Sequence, residues 1–254
     1  MSSDRSSAGD PDRTLALLWR VPGESRRGPR PGLSVDRVVD TAIELADTDG
    51  LSALTMRRLA QAIGVAPMTL YTYVPGKAEL MDLMLDAVYA GMPRTDTAGR
   101  HWRERVTTVA EENRALLAAH PWVASVSTSR PPLGPGQMAK YDHELRALDG
   151  LGLSDVELDA ALAHLLAFVR THARDAADAT AAERESRMND EQWWERNAPL
   201  LARVLDETAF PTAARVGTAA GQAHGGAWNA DHAWHFGLRV LLDGLAALRG
   251  RHER

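Results

Sequence analysis

Apolar residues recur at intervals of three and four along nearly the whole chain from Ser34 onward. This spacing places them on one face of an α-helix, and no useful length of sequence alternates apolar and polar residues as a half-buried β-strand would. The pattern breaks at Gly50, Gly64 and Pro75-Gly76, which are residues typical of helix ends and turns. The sequence therefore predicts an all-α fold, with a small N-terminal domain of three helices followed by a larger helical domain.

The composition is that of a folded, cysteine-free protein with one or two domains. The chain has 254 residues, of which 44% are hydrophobic and 25% charged, and this length suffices for a substantial core. The absence of cysteine excludes disulfides, thiolate nucleophiles and iron–sulfur clusters, and it favours the cytoplasm. We find neither a signal peptide nor an apolar run of about 18 residues, so we expect no membrane partner. Neither a phosphate-binding loop nor a nucleophile elbow is present, so we expect no cofactor and no enzyme activity.

The first 32 residues differ in composition from the rest of the chain. Residues 1–13 are polar and predict a disordered tail, whereas the apolar stretch at 15–19 is expected to dock on the folded body. Between Arg20 and Arg37, five arginines and two acidic residues give a local charge of +3. Two interpretations of residues 1–32, a flexible basic extension, stay open: a solvated linker, or an arm that reaches a phosphate backbone or a minor groove.

Residues 54–73, LTMRRLAQAIGVAPMTLYTY, have the layout of a helix–turn–helix. Thr55 is placed to cap the first helix, the small Ala60 suits a helix crossing, and Gly64 suits the reversal of the chain. Leu70 would then seat a second short helix whose outer side chains face a major groove. On spacing alone, an ordinary helical corner of a bundle fits equally well.

The stretch GLSVDRVVDTAIELADTDGLSALTMRRLAQAIGVAPMTLYTYVPGKAELMDLML closely resembles the N-terminal domain of the tetracycline-repressor (TetR) family of transcriptional regulators. The strongest matches are LTMRRLAQAIGV, the TLY of the second helix, and Lys77. A weaker resemblance to the family's regulatory domain continues through HPW at 120–122 and SRPPLGP at 129–135. The resemblance implies a DNA-binding domain at 33–92 and a ligand-binding and dimerisation domain at 98–254.

The function implied by the resemblance is that of a homodimeric repressor, which a small-molecule effector releases from double-stranded operator DNA. The implied DNA contacts are Thr55, Arg57, Pro67, Met68, Thr69, Tyr71, Tyr73 and Lys77. Tyr71 and Tyr73 match positions that usually donate hydroxyls to phosphates, and Lys77 matches a lysine that grips a phosphate. Met68 departs from family members with a polar residue there, because it can pack on a thymine methyl group but cannot hydrogen-bond.

The effector pocket of the resembled family lies within its helical second domain, and small-molecule sites are rich in aromatic side chains. The candidate ligand-binding residues are His164, Phe168, Trp193 and Trp234. His232 and His235 lie close together, but no carboxylate stands at a matching spacing, so we expect no metal site.

Several features of the second half complete the sequence predictions. Ser154 to Glu157 form a capping box at the start of a long helix, and the last helix is expected from Asp231 to Arg249. The glycine-rich stretch 216–226 predicts a mobile loop. Two alternative functions are an all-helical enzyme and a purely structural helical dimer, and the match at residues 54–77 weighs against both. An enzyme would turn over a substrate, and a structural dimer would show no stability change with ligand or DNA.

Overall fold

A computed structural model of the protein describes residues 5–21, 33–128, 130–226 and 228–252. Within them the chain forms helices and no β-strand, and one isolated β-bridge joins Arg5 to Ser127. The predicted all-α fold is therefore confirmed. The arginines of the predicted basic arm at positions 26, 27 and 30 lie outside the described residues.

The helices follow one another with short connections. In chain order they are α1 (Pro11–Leu18), α2 (Val35–Asp49), α3 (Met56–Ile63), α4 (Pro67–Leu70), α5 (Lys77–Gly91), α6 (Trp102–Ala119), α7 (Pro121–Ser125), α8 (Pro135–Leu148), α9 (Asp155–Ser186), α10 (Asp190–Leu201), α11 (Pro211–His224) and α12 (Ala230–His252). A single 3-10 turn, Leu51–Ala53, follows α2. Within the described residues, none of these helices combines the length and the apolar character that crossing a membrane requires.

The chain divides into two compact units. The first extends to Arg170 and includes the end of the chain from Leu245, and the second is Thr171–Gly244. The division between them does not coincide with the predicted domain boundary at residues 93–97. The reason lies in α5, which precedes that boundary but packs more extensively on α8 than on any other helix.

Helix α5 is the centre of the first unit. It buries a nearly continuous set of side chains, namely Glu79, Leu80, Met81, Asp82, Leu83, Met84, Leu85, Asp86, Val88 and Tyr89. Because the buried side chains of α5 point to all sides, other helices must pack around it. In the first unit α1, α2 and α8 pack against it.

The start of α8 approaches α5 very closely. A Cβ atom at Gly136 would lie 2.0 Å from the backbone oxygen of Asp86, so only glycine fits there. The Oδ1 atom of Asp86 accepts a hydrogen bond of 2.8 Å from the backbone N–H of Gln137. The close contact of α8 with α5 therefore lies at the first turn of α8, which begins at Pro135.

The N-terminal segment is docked on the first unit. The backbone N–H of Ser7 donates to Oδ1 of Asp82 at 2.7 Å, and Nε1 of Trp19 donates to the backbone oxygen of Leu133 at 2.8 Å. Helix α1 packs on α5, as expected for the apolar stretch at its end. The expected disordered tail is wrong for residues 5–13, because specific hydrogen bonds and a capped helix hold them.

The predicted loop at 216–226 is also wrong. Helix α11 passes through Gly217 and Gly221 and ends at Gly225, which has a left-handed φ of 66°. Alanines in α11 favour the helix and offset the cost of its glycines. A Cβ atom at Gly221 would lie 3.2 Å from Nε1 of Trp194, so this glycine makes room for a ring. Helix α9 continues without a break to Ser186.

The predicted start of the long helix α9 agrees with the structure. The carboxylate of Glu157 accepts hydrogen bonds of 2.8 and 2.7 Å from the backbone N–H and the hydroxyl of Ser154.

Asp82 gives the first unit a pH-dependent stability. The residue is fully buried, and its Oδ2 atom has no hydrogen-bond partner among the described residues. Burial raises the pKa of Asp82 from 3.8 to about 6. Because the folded state favours the protonated carboxyl, this group stabilises the fold at low pH, and that contribution is lost as the pH rises from about 4 through about 6.

We expect Asp82→Asn to raise the free energy of unfolding at pH 8 by at most about 3 kcal/mol. At this pH the wild type buries an ionised carboxylate, whereas the asparagine amide is neutral. The gain should vanish near pH 4. Urea unfolding at several pH values measures both effects, with the exposed α2 variant Asp40→Asn as the control. Equal stability of wild type and Asp82→Asn at pH 8 would contradict the assignment.

Candidate DNA-binding site

Helices α3 and α4 form the predicted helix–turn–helix. The hydroxyl of Thr55 caps α3 by accepting a hydrogen bond of 3.1 Å from the backbone N–H of Arg58. Gly64 ends α3 in the left-handed region, with φ 81° and ψ 33°, and its N–H donates to the backbone oxygen of Ala60 at 3.0 Å. Leu59 and Ala60 are fully buried. The local geometry is therefore the one that the sequence pattern requires.

The second helix of the pair, α4, is a single turn. Pro67 begins it, where a missing N–H costs no hydrogen bond. Leu70 is fully buried and anchors the turn, whereas the Met68 side chain is 76% exposed. The side chains of α4 therefore have two different surroundings within one turn, because Leu70 lies in the core and Met68 in solvent. The start of α4 is thus available to a partner.

The eight predicted DNA contacts all lie between the cap of α3 and the first residue of α5. Five of them are exposed, namely Thr55, Arg57, Pro67, Met68 and Tyr71. The other three are half-buried, namely Thr69, Tyr73 and Lys77. The segment therefore offers hydroxyl, apolar and cationic groups over a short stretch of chain.

Two neighbouring arginines of α3 have different surroundings. Nη2 of Arg58 forms an ion pair of 2.6 Å with Oδ2 of Asp49 at the end of α2. Arg57 is exposed and makes no ion pair with any residue that the structure describes. Arg58 therefore joins α3 to α2 by an ion pair, whereas the charge of Arg57 lies exposed on α3.

The start of α5 adds a second cationic feature. Lys77 is the first residue of α5, and no side chain caps the backbone N–H groups of this end. Free N–H groups and the helix dipole favour an anion at such an end, and a lysine adds to that preference. A phosphate oxygen fits this chemistry.

The four candidate ligand-binding residues fall into separate surroundings. His164 is exposed and Phe168 half-buried on α9, in the first unit. Trp234 is fully buried in the second unit, with its ring 5.1 Å from that of His172. Trp193 is 45% exposed and lines a cleft of about 540 Å³ in the same unit.

The cleft beside Trp193 contains a residue that the sequence prediction missed. Trp228 also lines it and is partly exposed, together with Met188. Four carboxylates border the same cleft, those of Asp175, Asp178, Glu183 and Asp190. The sequence signal for Trp228 was its position directly before the last helix, but position alone does not separate a cleft residue from a core residue.

A buried polar network in the first unit was missed as well. Nζ of Lys140 lies 2.6 Å from Oε1 of Glu144, and Nδ2 of Asn113 donates to the same oxygen at 2.6 Å. The ammonium also lies 5.4 Å from the ring centre of Tyr89. Burial lowers the pKa of Lys140, whereas the neighbouring Glu144 raises it. The Lys–Glu spacing of four was visible in the sequence, but the burial of the pair was not.

Comparison with protein families gives two matches that together span most of the chain. A family model described as "Bacterial regulatory proteins, tetR family" matches residues 38–84, which include the helix–turn–helix. A second, described as "Tetracyclin repressor-like, C-terminal domain", matches residues 94–249.

Individual relatives match over nearly the full length. The HTH-type transcriptional repressor DrrR1 of Streptomyces coeruleorubidus is 39% identical over 248 residues, covering 97% of this chain and 90% of the relative. An HTH-type transcriptional regulator of Saccharopolyspora erythraea is 31% identical over 258 residues, covering 98% of each chain. The structure of ActR from Streptomyces coelicolor in complex with actinorhodin has a TM-score of 0.73 at 28% identity, covering 86% of this chain and 97% of ActR.

The turn between α3 and α4 provides a test of the local geometry. Gly64→Ala should lower the free energy of unfolding by about 1 kcal/mol, because a side chain is strained in the left-handed region. No atom lies within 4 Å of the added Cβ, so the change in the free energy of unfolding reports the backbone strain alone. Gly91→Ala at the end of α5 is the matched control, since its Cβ also meets open space and its φ is not left-handed. Urea unfolding should show a loss for Gly64→Ala alone, and equal effects would argue against the strained turn.

Proposed function

The chain belongs to the TetR family of bacterial regulatory proteins, and we propose that it is a transcriptional repressor which a small molecule releases from its operator DNA. The observation that carries the proposal is the helix–turn–helix, in which Pro67 and Met68 are exposed above the buried Leu59, Ala60 and Leu70. The chain also matches the family over both of its domains. We assign DNA binding to residues 33–92, and ligand binding and dimerisation to residues 98–254. The proposed location is the cytoplasm, where the operator lies, and no enzymatic step is needed.

The DNA contacts divide into two chemical classes. Tyr71, Tyr73 and Lys77 would hold the phosphate backbone, which fixes position but carries no sequence information. Met68 would meet base edges in the major groove, where a thymine methyl group is its natural partner. The exposure of Met68 supports this role, because its side chain is accessible to such a partner.

A dimer would present two recognition helices to half-sites about one turn of DNA apart. The last helix supports pairing with a second copy of the chain. Phe236 and Val240 are 52% and 53% exposed and stand one helical turn apart on α12. Apolar side chains in a row on a helix surface are typical of a contact with another helix.

The proposed effector is a largely apolar, ring-bearing compound. The similar protein ActR was solved in complex with actinorhodin, which supports a bound effector for this chain as well. In this chain, the partly exposed Trp193 and Trp228 of the second unit support recognition of rings. DNA and effector must then weaken each other by the same factor, because each binds a different state better.

The DNA-binding assignment is tested with a duplex that the wild-type protein selects from a random pool, and with footprinting on the upstream region of its own gene. Tyr71→Phe with Lys77→Ala should weaken binding to all duplexes alike and flatten the salt dependence by about one unit for the lysine. Met68→Ala should instead change which bases are preferred. Unchanged affinity and salt dependence in the double variant would contradict the phosphate contacts.

The effector mechanism is tested by tryptophan fluorescence with a set of polycyclic aromatic compounds. A compound that changes the emission should also weaken operator binding, by about 5- to 150-fold for an ordinary coupling of 1–3 kcal/mol. Trp193→Phe should reduce the fluorescence change, with Trp102→Phe in the first unit as the control. A compound that binds tightly yet leaves operator affinity unchanged at saturation would contradict release by a ligand.

A further inference from the structure

The HPW segment at 120–122 makes a polar contact that the DNA-binding assignment does not use. Nε1 of the buried Trp122 donates a hydrogen bond of 2.7 Å to Oδ1 of Asp47 in the last turn of α2. Nδ1 of His120 lies 2.9 and 3.0 Å from the two carboxylate oxygens of the same residue. We call Asp47, His120 and Trp122 the α2–α7 joint.

The stability of α2 alone does not explain Asp47. A carboxylate in the last turn of a helix opposes the helix dipole, and no basic residue stands in the last turn of α2. Its partners supply the compensation, because the carboxylate accepts from the indole and contacts the imidazole at the same time. A buried indole N–H also needs a partner, so Trp122 and Asp47 depend on each other.

The connection between His120 and Trp122 is stiff. Pro121 lies between them at the first position of α7, and its ring restricts the backbone. The rings of His120 and Trp122 stand edge to face, with centroids 6.4 Å apart. Both donors therefore reach Asp47 from one short, restrained segment.

The same turn of α2 also holds the helix–turn–helix. Asp49, two residues after Asp47, forms the ion pair with Arg58 of α3. The last turn of α2 thus carries one carboxylate bound to α7 and another bound to α3. Contacts run without interruption from α7 through α2 to the helix that supports the recognition turn.

We propose that Asp47, His120 and Trp122 are positioning residues that fix the direction of the helix–turn–helix relative to α6 and α7 of the same unit. In a dimer, this direction sets the distance between the two recognition helices, and hence the half-site spacing that the protein accepts. The inference rests on the proposed function and adds to it the residues that define operator spacing.

The test compares binding to the duplex selected by the wild-type protein with binding to duplexes whose half-sites are moved apart or together by one and two base pairs. Asp47→Ala removes both contacts, and Trp122→Phe removes the indole N–H but keeps an aromatic ring. Trp102→Phe, at a buried position of α6 outside the joint, is the matched control. Thermal unfolding shows whether each variant is still folded.

We expect Asp47→Ala to bind the selected duplex about tenfold more weakly, as for the loss of a charge-assisted hydrogen bond worth about 1.4 kcal/mol. Binding to the displaced half-sites should stay the same, so the preference for the native spacing should fall by about tenfold. Trp122→Phe should show a smaller fall in the same direction. Asp47→Asn, whose amide oxygen still accepts from the indole, should restore part of the preference, and Trp102→Phe should keep all of it.

A general loss of folded protein lowers the affinity for every duplex equally and leaves the spacing preference intact. An equal loss at all spacings, or an unchanged preference in Asp47→Ala, would therefore overturn the inference while leaving the proposed function in place. A wild-type protein that selects no duplex would overturn the proposed function itself. The two failures are thus distinguished within one set of measurements.

Discussion

Helix α5 is buried over most of its circumference, and the first unit is arranged to cover it. One side receives α8, which approaches so closely that Gly136 leaves no room for a side chain beside the backbone of Asp86. Another side receives α2, and a third receives α1. Since the first residue of α5 belongs to the candidate DNA-binding segment, the same helix that organises the core also presents Lys77. Helix α5 therefore determines both the packing of the first unit and the position of Lys77 in the candidate site.

The features that follow from local chemistry were predictable from the sequence. The cap at Thr55, the left-handed Gly64 and the proline at the start of α4 each depend on residues within a few positions, and each has the expected geometry. The glycines of α11 misled the prediction, because Gly221 makes room for the ring of Trp194 rather than breaking the helix. A glycine can end a helix, or it can lie inside a helix and leave room for a side chain packed against it. Which of the two occurs depends on residues elsewhere in the chain.

Contacts between distant parts of the chain were the least predictable. The docking of the N-terminal segment depends on Ser7 meeting Asp82, a pairing across 75 positions that no local pattern reveals. The contacts of Asp47 with His120 and Trp122 are of the same kind, although the HPW motif itself was visible. The roles of the candidate ligand residues stay predictions, because an aromatic residue has the same sequence pattern in a core and in a cleft.

The chain contains two lysines, at positions 77 and 140. Lys140 is buried against Glu144, out of reach of a dissolved reagent, whereas Lys77 is only half-buried at the start of α5. Among the residues that the structure describes, an amine-selective reagent therefore has Lys77 as its accessible side-chain target. The start of α5, in the candidate DNA-binding segment, can therefore carry a chemical probe without any substitution in the chain.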